Sequence, residues 1–190
     1  MKKLSYFMMI ALACYLLQGC HSNNSATTTD SATTTVDSSK TVALPTTDSS
    51  DVKFAKTLAA GGAAEITFSK LAETKVEAGK LKNFAAMMIT DHTKAGDTLK
   101  TIATKENITL PDSMDADHQK KYADISKMSG VAFNEAYVKL MVADHKDAVG
   151  LLQDESKNGK DSTLKAFATK ILPTVQMHLD AANKLASGMK

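Results

Sequence analysis

The sequence predicts an all-α fold, a four-helix bundle whose second and third helices are joined by a long, partly helical connection. Three observations predict it. Over residues 51–190 apolar side chains recur at steps of three and four, the spacing of one helix face, while the every-second-residue alternation of a half-buried strand is absent. Glycine and proline number only nine and three in 190 residues, too few for a turn-rich chain. Finally, MITDHTKA at 88–95 returns as MVADHKDA at 141–148, with Met, an aliphatic, Asp, His and Ala in the same order. That is the mark of a duplicated helical unit, of two histidines brought to one place, or of both.

The chain opens with MKK, the apolar run LSYFMMIALACYLL and then LQGC. The run is shorter than the roughly 18–20 residues a membrane-spanning helix needs, and the layout is that of a secretory signal. LQGC resembles a bacterial lipobox, so residues 1–19 are expected to be removed and Cys20 acylated, holding the protein on a membrane surface, the outer membrane of the envelope being the expected site. Cys14 leaves with the signal, and the mature domain then has no free thiol for a disulfide or a cysteine metal site. Residues 20–50 are mostly Ser and Thr and bury too little to offset their ordering entropy, which predicts a disordered tether, with His21 solvated inside it.

The domain then occupies 51–190. Its first helix is predicted over 51–77, with the stripe Phe54, Leu58, Gly61/Gly62, Glu65, Phe68, Ala72, Val76; Gly61–Gly62 reads as close packing against a neighbour, and Gly79 as the stop. The second runs 80–106 through Phe84, Met88, His92, Ala95, Leu99, Ile102. LPDS at 110–113 breaks the chain, with Ser113 as the candidate cap of a short helix over 114–128 that ends at Ser129–Gly130. The third long helix covers 131–157 (Phe133, Tyr137, Met141, His145, Ala148, Leu152). After the KNGKDS turn the fourth covers 161–187 (Leu164, Phe167, Ile171, Val175, His178, Ala182, Leu185), with Pro173 expected to kink it. Two hairpins joined by residues 107–130 make the bundle; the pattern alone fits either up-down-down-up or up-down-up-down.

One polar residue interrupts each stripe where a core residue belongs: Glu65, His92, His145 and His178. Glu65 lies 14 residues before Gly79 and His92 lies 13 after it, while His145 lies about 13 residues before the middle of the second turn and His178 about 18 after it. At about 1.5 Å per residue the four sit level to within a turn or so in either topology. Burying such groups without partners costs several kcal/mol by rough estimate. They satisfy one another, or they hold a transition-metal ion, with Zn, Cu and Fe all chemically allowed. Asp91 and Asp144, each preceding a histidine, are candidates to orient the imidazoles from behind. Met88 and Met141, each four residues before a histidine, share its face and offer thioethers, although methionine at that spacing also fills cores. Met114 and His118 repeat the spacing, but charged surroundings mark His118 as a surface or capping residue.

Four stretches are similar to the domain-of-unknown-function 4142 family of bacterial envelope proteins: FAKTLAAGGAAEITFSKLAETK, FAAMMITDHTKA, SGVAFNEAYVKLMVADHKDAV and LKAFATKILPTVQMHLDAANKL. The resemblance covers about 51–187, its paired DH motifs and late LP…H being the specific part. It implies a ferritin-like bundle with a long crossover and no established activity. Asn134 departs from it, where the pattern has Asp after the Phe, which alters any capping or orienting role there.

Charge and composition exclude more than they identify. The formal charge of +2 comes from Lys2 and Lys3, and without them 21 lysines face 21 carboxylates; arginine is absent throughout. That argues against nucleic acid as a partner. A single Glu without Glu-x-x-His pairs argues against a di-iron oxidase and against iron storage. No nucleophile–base set and no phosphate-cradling glycine loop is visible, which leaves enzymatic activity open only through a metal. The sequence thus supports a membrane-anchored domain that binds one metal ion in metal handling or envelope stress protection. The competing class is a non-metal interaction module with a buried polar network.

Overall fold

A computed structural model of the chain describes residues 47–77 and 79–189; the signal, Cys20 and most of the tether lie outside them. The described residues form five helices and no strand: α1 (Ser49–Lys75), α2 (Lys80–Lys105), α3 (Ala116–Ile125), α4 (Gly130–Asn158) and α5 (Ser162–Ser187). No described helix is long and apolar enough to cross a membrane.

Each boundary has a local cause. Asp48 caps α1 by accepting the Ser50 N–H at 2.8 Å, so the helix starts two residues before the predicted position. α1 and α2 are separated at Gly79, whose φ of 139° suits only glycine without strain. α3 is shorter than predicted, and its cap is Asp115, not Ser113: the Asp115 carboxylate accepts the His118 N–H at 2.9 Å. A carboxylate there also complements the helix dipole, which a hydroxyl two residues upstream does not. Asp161 caps α5 through the N–H groups of Thr163 and Leu164, and α5 runs on through Pro173 to Ser187.

α1 packs on α2 and α4, and α5 packs on α4 and α2, which makes α1/α5 and α2/α4 the diagonals of a square bundle. Two apolar clusters fix the directions. One joins Val76 at the end of α1, Leu81 at the start of α2, Phe133 at the start of α4 and Ala182 late in α5. The other joins Phe54, Ala103, Leu152 and Leu164 from the opposite ends. α2 and α4 therefore run parallel, and the order is up-down-down-up, with residues 106–129 returning along the bundle and α3 laid on α1 and α4. Phe68, Phe133, Tyr137, Leu152 and Leu164 are fully buried, and each is worth about 1.5–3 kcal/mol by area. The Tyr137 hydroxyl meets that of Ser69 at 2.8 Å, which satisfies both inside the core.

Candidate metal centre

Between the two clusters the four long helices each contribute one buried polar side chain: Glu65 from α1, His92 from α2, His145 from α4 and His178 from α5. The three rings form a nearly equilateral triangle, with centroids 5.5 Å apart for His92–His145, 5.3 Å for His92–His178 and 5.5 Å for His145–His178.

One nitrogen of each ring is held from behind. His92 Nδ1 pairs with Glu65 Oε2 at 3.0 Å. His145 Nδ1 donates to the Met141 carbonyl at 2.9 Å and lies 3.0 Å from Glu65 Oε1. His178 Nε2 lies 3.0 Å from Asp91 Oδ2. Acceptors at these positions fix the proton on the bonded nitrogen and leave the lone pair on the other. The other nitrogens, His92 Nε2, His145 Nε2 and His178 Nδ1, are buried without a partner. The three histidines offer donor atoms that all lie within 4.8 Å of one another. Two nitrogens bound to one tetrahedral ion at about 2.0–2.1 Å stand about 3.4 Å apart, so the rings need to close by about an ångström to share an ion.

The electrostatics follow the same division. Burial works to raise the Glu65 pKa, but the His92 ring, with smaller help from His145 and His178, holds its carboxyl down at about 2. Burial works to lower His92, and the Glu65 charge outweighs it, leaving His92 raised. His145 and His178 are lowered, chiefly by burial, and so are neutral lone-pair donors at neutral pH.

Glu65 was expected among the ligands; both its oxygens instead face Nδ1 atoms, so it stands behind the donors. Asp91, a candidate to orient a ring, faces His178 and not its neighbour His92. Asp144 does not face the layer: it meets Lys121 Nζ at 3.2 Å and His118 Nε2 at 3.7 Å, because the crossover brings α3 against α4. His118 sits half-buried at the start of α3, bonded to its own cap Asp115 at 2.7 Å. Met88 and Met141 are fully buried in the first apolar cluster, where they act as core; Met141 serves the layer through its carbonyl. Asn134 is half-buried with an unpartnered Oδ1 and does not cap α4, which begins after Ser129.

A cleft of about 680 Å³ opens on the layer between α1, α2 and α5, reaching His92 and His178. Gly61–Gly62 does not mark close packing. A Cβ on Gly61 would meet nothing within 4 Å, and one on Gly62 only His92 Nδ1 at 3.9 Å. Gly62 thins α1 and leaves room beside His92.

Two buried carboxylates escaped sequence reading. Asp51 accepts the backbone N–H groups of Lys160 (3.1 Å) and Asp161 (2.6 Å), pinning the start of α1 to the α4–α5 turn. Glu155 beside it is raised to about 7 by burial and then by the charges of Asp51, Asp154 and Asp161. A helix-initial Asp and an acidic residue near a helix end carry no signal of burial in one sequence.

The family model described as Domain of unknown function (DUF4142) matches residues 36–185. No curated protein matches the chain. Among solved structures, a DUF305 fragment from Deinococcus radiodurans is similar with a TM-score of 0.67 at 10% identity, over 75% of this chain and 99% of that one. CopM in its Cu(II)-bound form is similar with a TM-score of 0.63 at 15% identity, over 74% and 97%, and in its Cu(I)-bound form with 0.60 at 17%, over 73% and 96%. At such identities the likeness establishes the helical fold.

Proposed function

We propose a function for a chain that belongs to the Domain of unknown function (DUF4142) family: its bundle binds one transition-metal ion, copper ahead of zinc or iron, in metal handling or stress protection at the bacterial envelope. The donors are His92 Nε2, His145 Nε2 and His178 Nδ1; Glu65 and Asp91 orient them and supply the compensating negative charge. One observation carries the reading. Three buried imidazole nitrogens lack partners, and they belong to the three rings that converge on one point. Buried polar atoms are normally partnered, so three that converge call for an occupant they share.

Copper is favoured on two grounds. An all-imidazole set suits copper and zinc better than the carboxylate-rich sets iron uses, and divalent copper binds nitrogen donors most tightly in the first transition row. The copper-bound forms of CopM share the fold, which supports the assignment without fixing it. In this reading acylated Cys20 holds the domain at a membrane, and the segment up to the start of α1 gives it reach.

The test is a titration of the full chain with Cu(I), Cu(II) and Zn(II), followed by metal analysis after desalting. One ion per chain is expected, with binding lost when His92, His145 and His178 are all replaced by alanine. Equal binding by the triple variant removes the proposal, as does a thermal midpoint indifferent to metal and chelator, because a ligand of the native state raises it by mass action.

A further inference from the structure

The cleft is far larger than an ion and its waters require. Its floor is apolar, built from Leu99 and Ala103 of α2 and Phe167, Ile171 and Val175 of α5, and three lysines, Lys94, Lys100 and Lys170, stand at its edge. None of the three pairs with a carboxylate among the described residues. Three carboxylates also line it: Glu65 and Asp91 lie at the histidine end, against His92 and His178, and Asp112 lies on the loop. Away from the histidine end Lys100 and Lys170 face only Asp112 among the lining carboxylates.

The lysines are placed in register. Lys100 lies eight residues after His92, and Lys170 lies eight residues before His178. Since α2 and α5 run antiparallel, both stand about 12 Å from the histidine layer, towards the same end of the bundle. Two lysines from two helices thus line the cleft at one level along the bundle. Leu99, Ile171 and Val175 lie between them and the imidazoles, with Ala103 and Phe167 just beyond the lysines. Concave, mostly apolar sites with a few convergent polar groups are how proteins hold small molecules.

We propose that this cleft binds a monocarboxylate with a linear apolar body, its carboxylate between Lys100 and Lys170 and its chain lying towards the histidine layer. An extended alkyl chain advances about 1.25 Å per carbon–carbon bond, so a chain of about ten carbons spans that distance. The inference rests on the cleft and its lysines and is independent of the metal reading.

The test is calorimetric titration of the metal-free full chain with hexanoate, octanoate and decanoate, and with decyltrimethylammonium as the cation of matching tail. Each added methylene is expected to tighten binding roughly three- to four-fold, the increment for burying a CH₂. The double variant Lys100→Gln/Lys170→Gln is expected to weaken decanoate at least ten-fold and to abolish the preference for anion over cation. Gly62→Leu, which builds into the histidine end, is expected to weaken decanoate while sparing hexanoate. Absence of decanoate binding, or equal binding by the double lysine variant, overturns the proposal. Because the lysines lie on exposed helix faces, that variant folds and the comparison stays decisive. Loss of metal binding in a histidine variant with decanoate binding intact separates the two proposals.

Discussion

Glu65→Gln distinguishes a carboxylate that ligates an ion from one that orients its ligands. In the structure Glu65 pairs with His92 at 3.0 Å, and its other oxygen lies 3.0 Å from His145 Nδ1. Deleting one partner of a buried ion pair commonly costs about 3–5 kcal/mol. Here the cost is smaller, because an imidazole, unlike a guanidinium, releases its proton when its counter-charge is gone. The Gln carbonyl still accepts from His92, and His145 keeps the Met141 carbonyl at 2.9 Å. What is lost is the charge assistance of one hydrogen bond, about 1–2 kcal/mol, or roughly 2–8 °C in thermal midpoint at this size. Metal affinity should fall about 10–100-fold, the usual cost of removing an orienting partner. His145→Ala, which deletes a donor, should lose more. The acid limb gives a second readout. Glu65 is depressed from 4.5 to about 2, so its stabilisation is present above pH 4.5 and is lost as pH falls towards 2; the variant lacks that loss. The assays are chemical denaturation across pH and competitive metal titration of wild type and both variants. Affinity in Glu65→Gln as low as in His145→Ala makes Glu65 a ligand, and unchanged affinity leaves it no role; either result refutes the reasoning.

Asp91→Asn removes the charge behind His178 and should weaken metal binding about ten-fold, whereas Asp144→Asn, engaged with Lys121 and His118, should change it less than about two-fold in the same titration. Glu155→Gln tests the raised carboxyl: between pH 4.5 and about 7 the unfolded chain gives up a proton the folded chain keeps, so Glu155 costs stability as pH rises through that window. The variant should match wild type at pH 4 and exceed it by about 1–3 kcal/mol at pH 8, the upper bound coming from 1.36 kcal/mol per pKa unit, as read by urea denaturation at both values. Asp51→Ala strips the acceptor from the N–H groups of Lys160 and Asp161 and should cost about 1–3 kcal/mol at pH 5, where Glu155 is protonated and its repulsion is absent.

The helices were legible because their signal is periodic and local: the four long helices fall within two residues of the predicted ends. α3 was less so, since its ten residues carry one buried side chain, Ile125, and a cap two residues from the predicted one. The depth of the four polar residues was legible from counting alone, because a helix converts sequence distance into height. Rotation was not. Whether Glu65 points at the centre of the layer or at the ring nitrogens behind it depends on a fraction of a turn about α1, and counting does not resolve that. The same limit explains Asp144, which precedes His145 as Asp91 precedes His92 yet faces α3: the repeat is shared, but α2 and α4 have different neighbours. The cleft was invisible for a further reason. Its walls come from four helices and a loop, and Gly62, which leaves room there, looks the same in sequence as a glycine that permits close packing.

The layer's arithmetic bears on what it is for. Three imidazoles carry six ring nitrogens, of which the carboxylates of Glu65 and Asp91 and the Met141 carbonyl engage three. An unmet buried polar atom costs about 1–3 kcal/mol, so three together approach the whole stability of a domain this size. A single water cannot satisfy them, having two hydrogens for three lone pairs. A proton on His92, favoured by the Glu65 charge, supplies one donor and leaves one water enough to do. A metal ion meets all three lone pairs at once. In either case positive charge enters the layer, and the carboxylates of Glu65 and Asp91 are placed to compensate it. A network built only to set helix register would need neither the charge nor the convergence, and leucine or glutamine at these positions would be less costly.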